Sequence, residues 1–270
     1  MSRARKATSK KSPEQTRMEF TEQIADFLAE HRTTVDNIAA SLPHVFEAVC
    51  YMLFVRHYEG IGFAVHPRNL LADGRFRFRY STNGLPWRYS YFEVCERSDD
   101  TLGPVIAEIW HNQKVQGAWC VQCDAGVFAV DIAVIRPNVL PKLPFRTPAG
   151  GHRTFAPNAD VLTFGESKLL IPYPMLLAQF LGIIHEILPG NVGFSDLGSA
   201  VSAIPVQPPH PPPTLFTTGH MSQGTKSILE SMLDRRYKLF VLVGIETSND
   251  ADLMARLRCA ATQADHPLEI

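Results

Sequence analysis

Apolar positions recur at helical spacing in two early stretches, Phe20, Ile24, Phe27 and Leu28, then Val45, Phe46, Val49, Cys50, Leu53 and Phe54. A recurrence every three to four residues gathers such side chains on one helical face. The first set predicts a helical N-terminal segment over residues 18–42, with Thr33 or Thr34 capping a second short helix that ends near Ser41. The second predicts a longer helix with Pro43 in its first turn and Gly60 and Gly62 at its end.

From Phe63 to Arg136 the period shortens to two, the signature of strands. Residues 75–80 alternate Arg and aromatic side chains strictly, and Asn83-Gly84 is a turn signal before a strand around Tyr89 to Val94. Trp119–Val121 and Val127–Ile135 read as a hairpin turning at Asp124-Ala125-Gly126. Residues 137–160 and 189–213 are rich in Pro or Gly and predict long irregular insertions. Between and after them the pattern gives a strand at Leu162–Leu170, a helix from Pro174 to Leu188, a strand at Thr214–Thr218, a helix at Gln223–Arg236, a strand at Lys238–Ile245 and a helix at Asp250–Ala261. The order predicts an α/β fold, a central mixed sheet flanked by helices and preceded by the helical N-terminal segment.

Composition narrows the class. With 45 % hydrophobic and 20 % charged residues over 270 positions, the chain has the make-up of a globular protein with a substantial core. Its most apolar helix, Met175–Leu188, is interrupted by Gln179, His185 and Glu186, which argues against a membrane span. Five scattered cysteines point to a reducing, cytoplasmic setting rather than a disulfide framework. Residues 1–17 are basic and poor in apolar side chains, as expected of a disordered tail. The first eleven residues contribute five positive charges and no acids, so the remainder of this −1 chain is net acidic. Binding nucleic acid would then require a local basic patch or a partner.

The chemistry concentrates in two places. Asp131 interrupts the apolar run Val130–Ile135, where a lone carboxylate is costly unless it is paired or bound to a metal. Glu166 and Lys168 of Gly165-Glu166-Ser167-Lys168 lie two apart on a predicted strand and so share a face. If the strands are neighbours, two carboxylates, an ammonium and the Ser167 carbonyl converge. Such a set can place Mg²⁺ on a phosphate oxygen while Lys168 orients a water or offsets developing charge.

The order of Asp131, Glu166-Ser167-Lys168 and a helix bearing Gln179 resembles the PD-(D/E)xK nuclease superfamily, over roughly residues 43–245. Val130 stands where the name-giving Pro would be, and the long interval before Glu166 requires residues 137–160 to be an insertion. The resemblance implies a restriction-endonuclease-like core spanning residues 43–270 and metal-dependent phosphodiester hydrolysis. It also implies Asp131, Glu166, Glu47 and Ser167 as metal ligands, Lys168 and Gln179 as catalytic partners, and Mg²⁺, replaceable by Mn²⁺, as cofactor. DNA is then the expected substrate ahead of RNA, in prokaryotic defence or DNA processing, with a protein partner or a second copy of the chain. A noncatalytic binding or assembly subunit of the same fold is the alternative from another class.

Other features admit two readings each. Arg75, Arg77 and Arg79 form either a phosphate-tracking stripe or a solvated strand face over an aromatic core. Gln179 shares a helical face with Met175, Gly182 and Glu186 that serves equally as an exposed seam. Cys120 and Cys123 with His111 or His152 offer a weak zinc set, against two thiols in a hairpin. Gly219-His220-Met221-Ser222-Gln223-Gly224 loosely mimics a nucleophile elbow, but a serine cap on the following helix explains it.

Overall fold

The computed structural model describes residues 42–97, 102–120, 127–142, 154–193 and 206–262. The expected tail, nearly all of the N-terminal helical segment, the 124–126 turn, Cys123, His152 and the middles of both insertions lie outside them.

The protein is α/β, an eight-stranded mixed sheet with helices on both faces. Helix α1 (Leu42–Gly60) buries Phe46, Ala48, the run Cys50–Val55, His57 and Tyr58. A helix buried nearly all round must be covered on more than one side. The sheet covers one flank and the C-terminal helix α4 (Asp250–Thr262) another, through Leu253, Met254 and Leu257.

The strands follow as β1 (Ala64–Arg68), β2 (Tyr91–Arg97), β3 (Leu102–Gln116), β4 (Val127–Ile135), the short β5 (Phe155–Ala156) and β6 (Val161–Lys168). Helix α2 (Pro174–Ile187), β7 (Thr214–Thr217), helix α3 (Gln223–Asp234) and β8 (Phe240–Leu242) complete the order before α4. The sheet runs β1-β2-β3-β4-β6-β7-β8, with β5 paired to β3. It is antiparallel from β1 to β6 and parallel from β6 to β8. Parallel neighbours need a crossover, and α2 and α3 supply the two. Both pack on the face opposite α1, with Leu176, Leu177, Phe180, Ile184, Leu229 and Met232 in one core. No helix among the described residues is long and apolar enough to cross a membrane.

Three expectations are corrected. The partner of β4 is the fifteen-residue β3, whereas Ala118–Cys120 forms a 3-10 turn in place of a hairpin strand. β3 carries Glu108, His111 and Gln113 at buried positions, so its polar residues hide the alternation. The insertion ending near residue 160 contains β5 and a further 3-10 turn, Asn158–Asp160.

The third correction concerns the arginines. Residues 75–80 lie outside the sheet, held beside the start of β2 where Ser90 N–H donates to the Arg77 carbonyl. Phe76 and Phe78 bury against Tyr51 and Phe92 as expected. Arg75 pairs with Asp73 at 2.6 Å, Arg77 is exposed over the Tyr89 ring, and Arg79 is only 1 % exposed. The Arg79 guanidinium donates to Gln113 Oε1 and to the carbonyls of Ser81, Thr82 and Gly84. It is the internal anchor of the 81–84 turn and cannot contact a phosphate backbone. Arg79→Met is expected to lower stability by about 3 kcal/mol, since several buried acceptors lose their donor together. Equilibrium urea unfolding measures it, and a loss under about 1 kcal/mol would refute the anchoring role.

Candidate functional site

Gly165 lets α1 approach β6. A Cβ there would stand 3.0 Å from Phe216 and 3.1 Å from Phe54 of α1. This close packing sets the start of Glu166-Ser167-Lys168 against the helix that carries Glu47.

The β4–β6 ladder pairs Ile132 with Gly165 and continues toward Ile135 and Val161, with Asp131 and Glu166 just beyond its end. There the Asp131 side chain takes over from the ladder. Its Oδ2 accepts from Ser167 N–H at 2.7 Å and from Ser167 Oγ at 2.8 Å. Lys168 Nζ stands 3.3 Å from the same oxygen and 2.8 Å from Glu166 Oε2. One ammonium therefore bridges the two carboxylates. Register places Glu166 beside Leu215 of the α2-side core and Ser167 beside Phe216 of the α1-side core. The Asp131 carboxylate is thus reached from both faces at the end of the strands.

Electrostatics make the cluster tense. Glu166 is 4 % exposed and its Oε1 has no hydrogen-bond partner. Burial, then the Asp131 charge, pushes its pKa up to about 7 despite the pull of Lys168. Lys168 is held above the usual lysine range, its two carboxylates outweighing its own burial. It stands in the cluster as a charged donor and not as a base.

Glu47 joins from α1. Burial first, and the charge of Asp131 second, raise its pKa, while Asn112 Nδ2 donates to its Oε2 at 3.2 Å. His111 Nε2 lies 3.7 Å from that oxygen. This imidazole is packed against Tyr51, Phe78 and Tyr80 and turned toward α1, which takes it out of the cysteine set considered from sequence. Gln179 is exposed on α2 and lines an open groove with Gly182, Glu186, Phe128 and Tyr237. Asp131, Glu166 and Lys168 do not line that groove. Ser222 caps α3, its hydroxyl accepting from Thr225 N–H.

The structure thus brings Asp131, Glu166, Ser167, Lys168 and Glu47 into one neighbourhood. Asn112 and His111 belong to it too and carried no sequence signal for this role, because an Asn or His in a strand reads as neither turn nor core. Among the described residues no three His, Cys, Asp or Glu side chains are gathered as a ready metal cage. Asp131 and Glu166, which share one ammonium and leave one buried carboxylate oxygen unpaired, are the residues here that could hold a divalent ion.

A pH dependence of folding follows from the buried groups. Burial lowers His111 and His210 to about 4, and lowers His57 as well. These folded values lie below the unfolded 6.5, so the unfolded chain binds more protons as pH falls from 6.5 toward 4. Each of His111 and His210 then removes roughly 3 kcal/mol of stability across that window. Glu166 acts oppositely, since its raised value makes the folded state the better proton acceptor between 4.5 and 7, and it offsets about one of the two. Urea midpoints are expected to fall from pH 7 to pH 4.5. Equal midpoints would contradict the burial of neutral imidazoles.

Comparison with protein-family models, curated proteins and solved structures returned no match.

Proposed function

We propose that this chain is a divalent-metal-dependent nuclease with a restriction-endonuclease-like core, acting on DNA ahead of RNA. The observation that carries the reading is the single Lys168 ammonium bridging Asp131 and Glu166, with Glu166 Oε1 buried and unpaired. The order of α1, the antiparallel strands β3, β4 and β6, and the β6–α2–β7 crossover supports the core assignment.

Asp131 and Glu166 would hold the ion, with Glu47 placed to assist. Mg²⁺ or Mn²⁺ bound there supplies Lewis acidity toward a phosphoryl oxygen and a more acidic water. Lys168, kept protonated, places positive charge where the phosphate gains negative charge. Ser167 fixes the Asp131 carboxylate through two donated hydrogen bonds, so its orientation is preset. Burial of Glu166 keeps its own carboxylate away from bulk water.

Incubation with supercoiled plasmid and with single-stranded DNA and RNA, in Mg²⁺, Mn²⁺ or EDTA, tests the proposal. Metal-dependent cleavage is expected. Stable wild-type protein that cuts none of them would instead favour a noncatalytic assembly subunit. That second reading is favoured by one observation, the closed pairing of Lys168 with both acids, which a purely structural ion cluster would also show.

A further inference from the structure

Asn112 lies inside β3 with φ at 48°, a left-handed conformation that Asn tolerates better than most residues. It falls between the pairs His111 with Ile132 and Gln113 with Val130, and so faces Asp131. Positions two apart on a regular strand share a face. Here Ile132 belongs to the α1-side core and Val130 to the α2-side core. The alternation therefore reverses at Asn112 and Asp131, and the irregularity has a direction: it delivers Asn112 Nδ2 to Glu47 Oε2 at 3.2 Å.

We propose that Asn112 is a positioning residue that holds the Glu47 carboxylate of α1 beside Asp131, making α1 an arm of the metal site. This role rests on the nuclease reading above. The position demands both tolerance of a positive φ and a neutral donor on a short stem. Glycine meets the first demand without the second. Aspartate tolerates the backbone but sets a third negative charge against Glu47 and Asp131. Burial and the Asp131 charge both work against ionised Glu47, and the Asn112 hydrogen bond works for it. His111 approaches the same oxygen without a hydrogen bond, so among the described residues Asn112 is the donor that fixes Glu47.

The test compares wild type with N112G, N112D, E47Q and the double variant N112G/E47Q. N112G is expected to keep the wild-type melting temperature, because glycine accepts the backbone. It should nonetheless cut plasmid with Mn²⁺ about 10- to 100-fold more slowly, in the range lost when a ligand's outer partner is removed. The loss should fall on turnover rather than substrate KM, N112D should not rescue it, and the double variant should be no slower than E47Q. Wild-type cleavage by N112G, or single losses that multiply in the double variant, overturns the proposal. The side-chain carboxyl ¹³C resonance of Glu47, assigned through E47Q, reads the same contact without any cleavage. It should shift and broaden in N112G, and an unchanged resonance overturns the proposal. If wild type never cuts nucleic acid, the nuclease reading fails while that resonance still decides what Asn112 does.

Discussion

Glu166→Gln is expected to cut metal-dependent DNA cleavage by at least about 10³-fold while leaving the fold as stable as wild type or more so. The amide keeps the shape but removes one of the two charges that would hold the ion. Stability should not suffer, because the carboxylate it replaces is 4 % exposed with one oxygen unpaired and shares the Lys168 ammonium with Asp131. Lys168→Ala separates the roles further. It should abolish cleavage as well, yet bind Mn²⁺ at least as tightly as wild type, since two carboxylates then face each other without a competing ammonium. Plasmid nicking rates with parallel thermal melts and Mn²⁺ titrations measure both variants. Cleavage by Glu166→Gln within a few-fold of wild type would remove Glu166 from the chemistry.

The largest loss of stability is expected elsewhere, from Lys142→Met. Lys142 Nζ stands 2.8 Å from Glu108 Oε1 and 3.3 Å from Glu93 Oε1. Glu108 is fully buried, its other oxygen accepting from Trp110 Nε1. Arg68 holds Glu93 at 2.7 Å, and the Tyr91 ring stacks on Trp110 beneath Lys142. Removing the ammonium leaves the Glu108 charge in the interior with hydrogen bonds but no counterion. Breaking a buried pair from one side costs about 3–5 kcal/mol, which for a domain of this size lowers the melting temperature by roughly 10 °C. Lys142→Met/Glu108→Gln should recover most of it, because the remaining groups are neutral. A single variant that melts within about 2 °C of wild type would show the network to be of little consequence.

These two sites contrast in how far the sequence discloses them. The period-3.6 stripe of α1 and the alternating strand and helix series after residue 161 are local patterns, and they lie in the structure close to where the pattern puts them. The pairing of Glu166 with Lys168 is equally local, since residues two apart on a strand must share a face. Asp131 was legible as an acid out of place in an apolar strand. β3 was hidden because its buried polar residues find their surroundings far away in sequence: Glu108 pairs with Lys142, Gln113 donates to the Thr154 carbonyl, and His111 packs against Tyr51, Phe78 and Tyr80. The same limit applies to the arginines of 75–80. Alternation separates two sets of side chains but does not say which face meets water, and Arg79 found four acceptors inside. Asn112 was invisible for a related reason, as its importance depends on a backbone reversal and on an acid sixty-five positions away.

Anomalous scattering from a crystal soaked in Mn²⁺ bears most directly on the claim that Asp131 and Glu166 form a metal site. A peak between the two carboxylates is predicted, with the Lys168 ammonium displaced from at least one of them. The absence of a peak there, with Lys168 still bridging Glu166 at 2.8 Å and Asp131 at 3.3 Å, would contradict it.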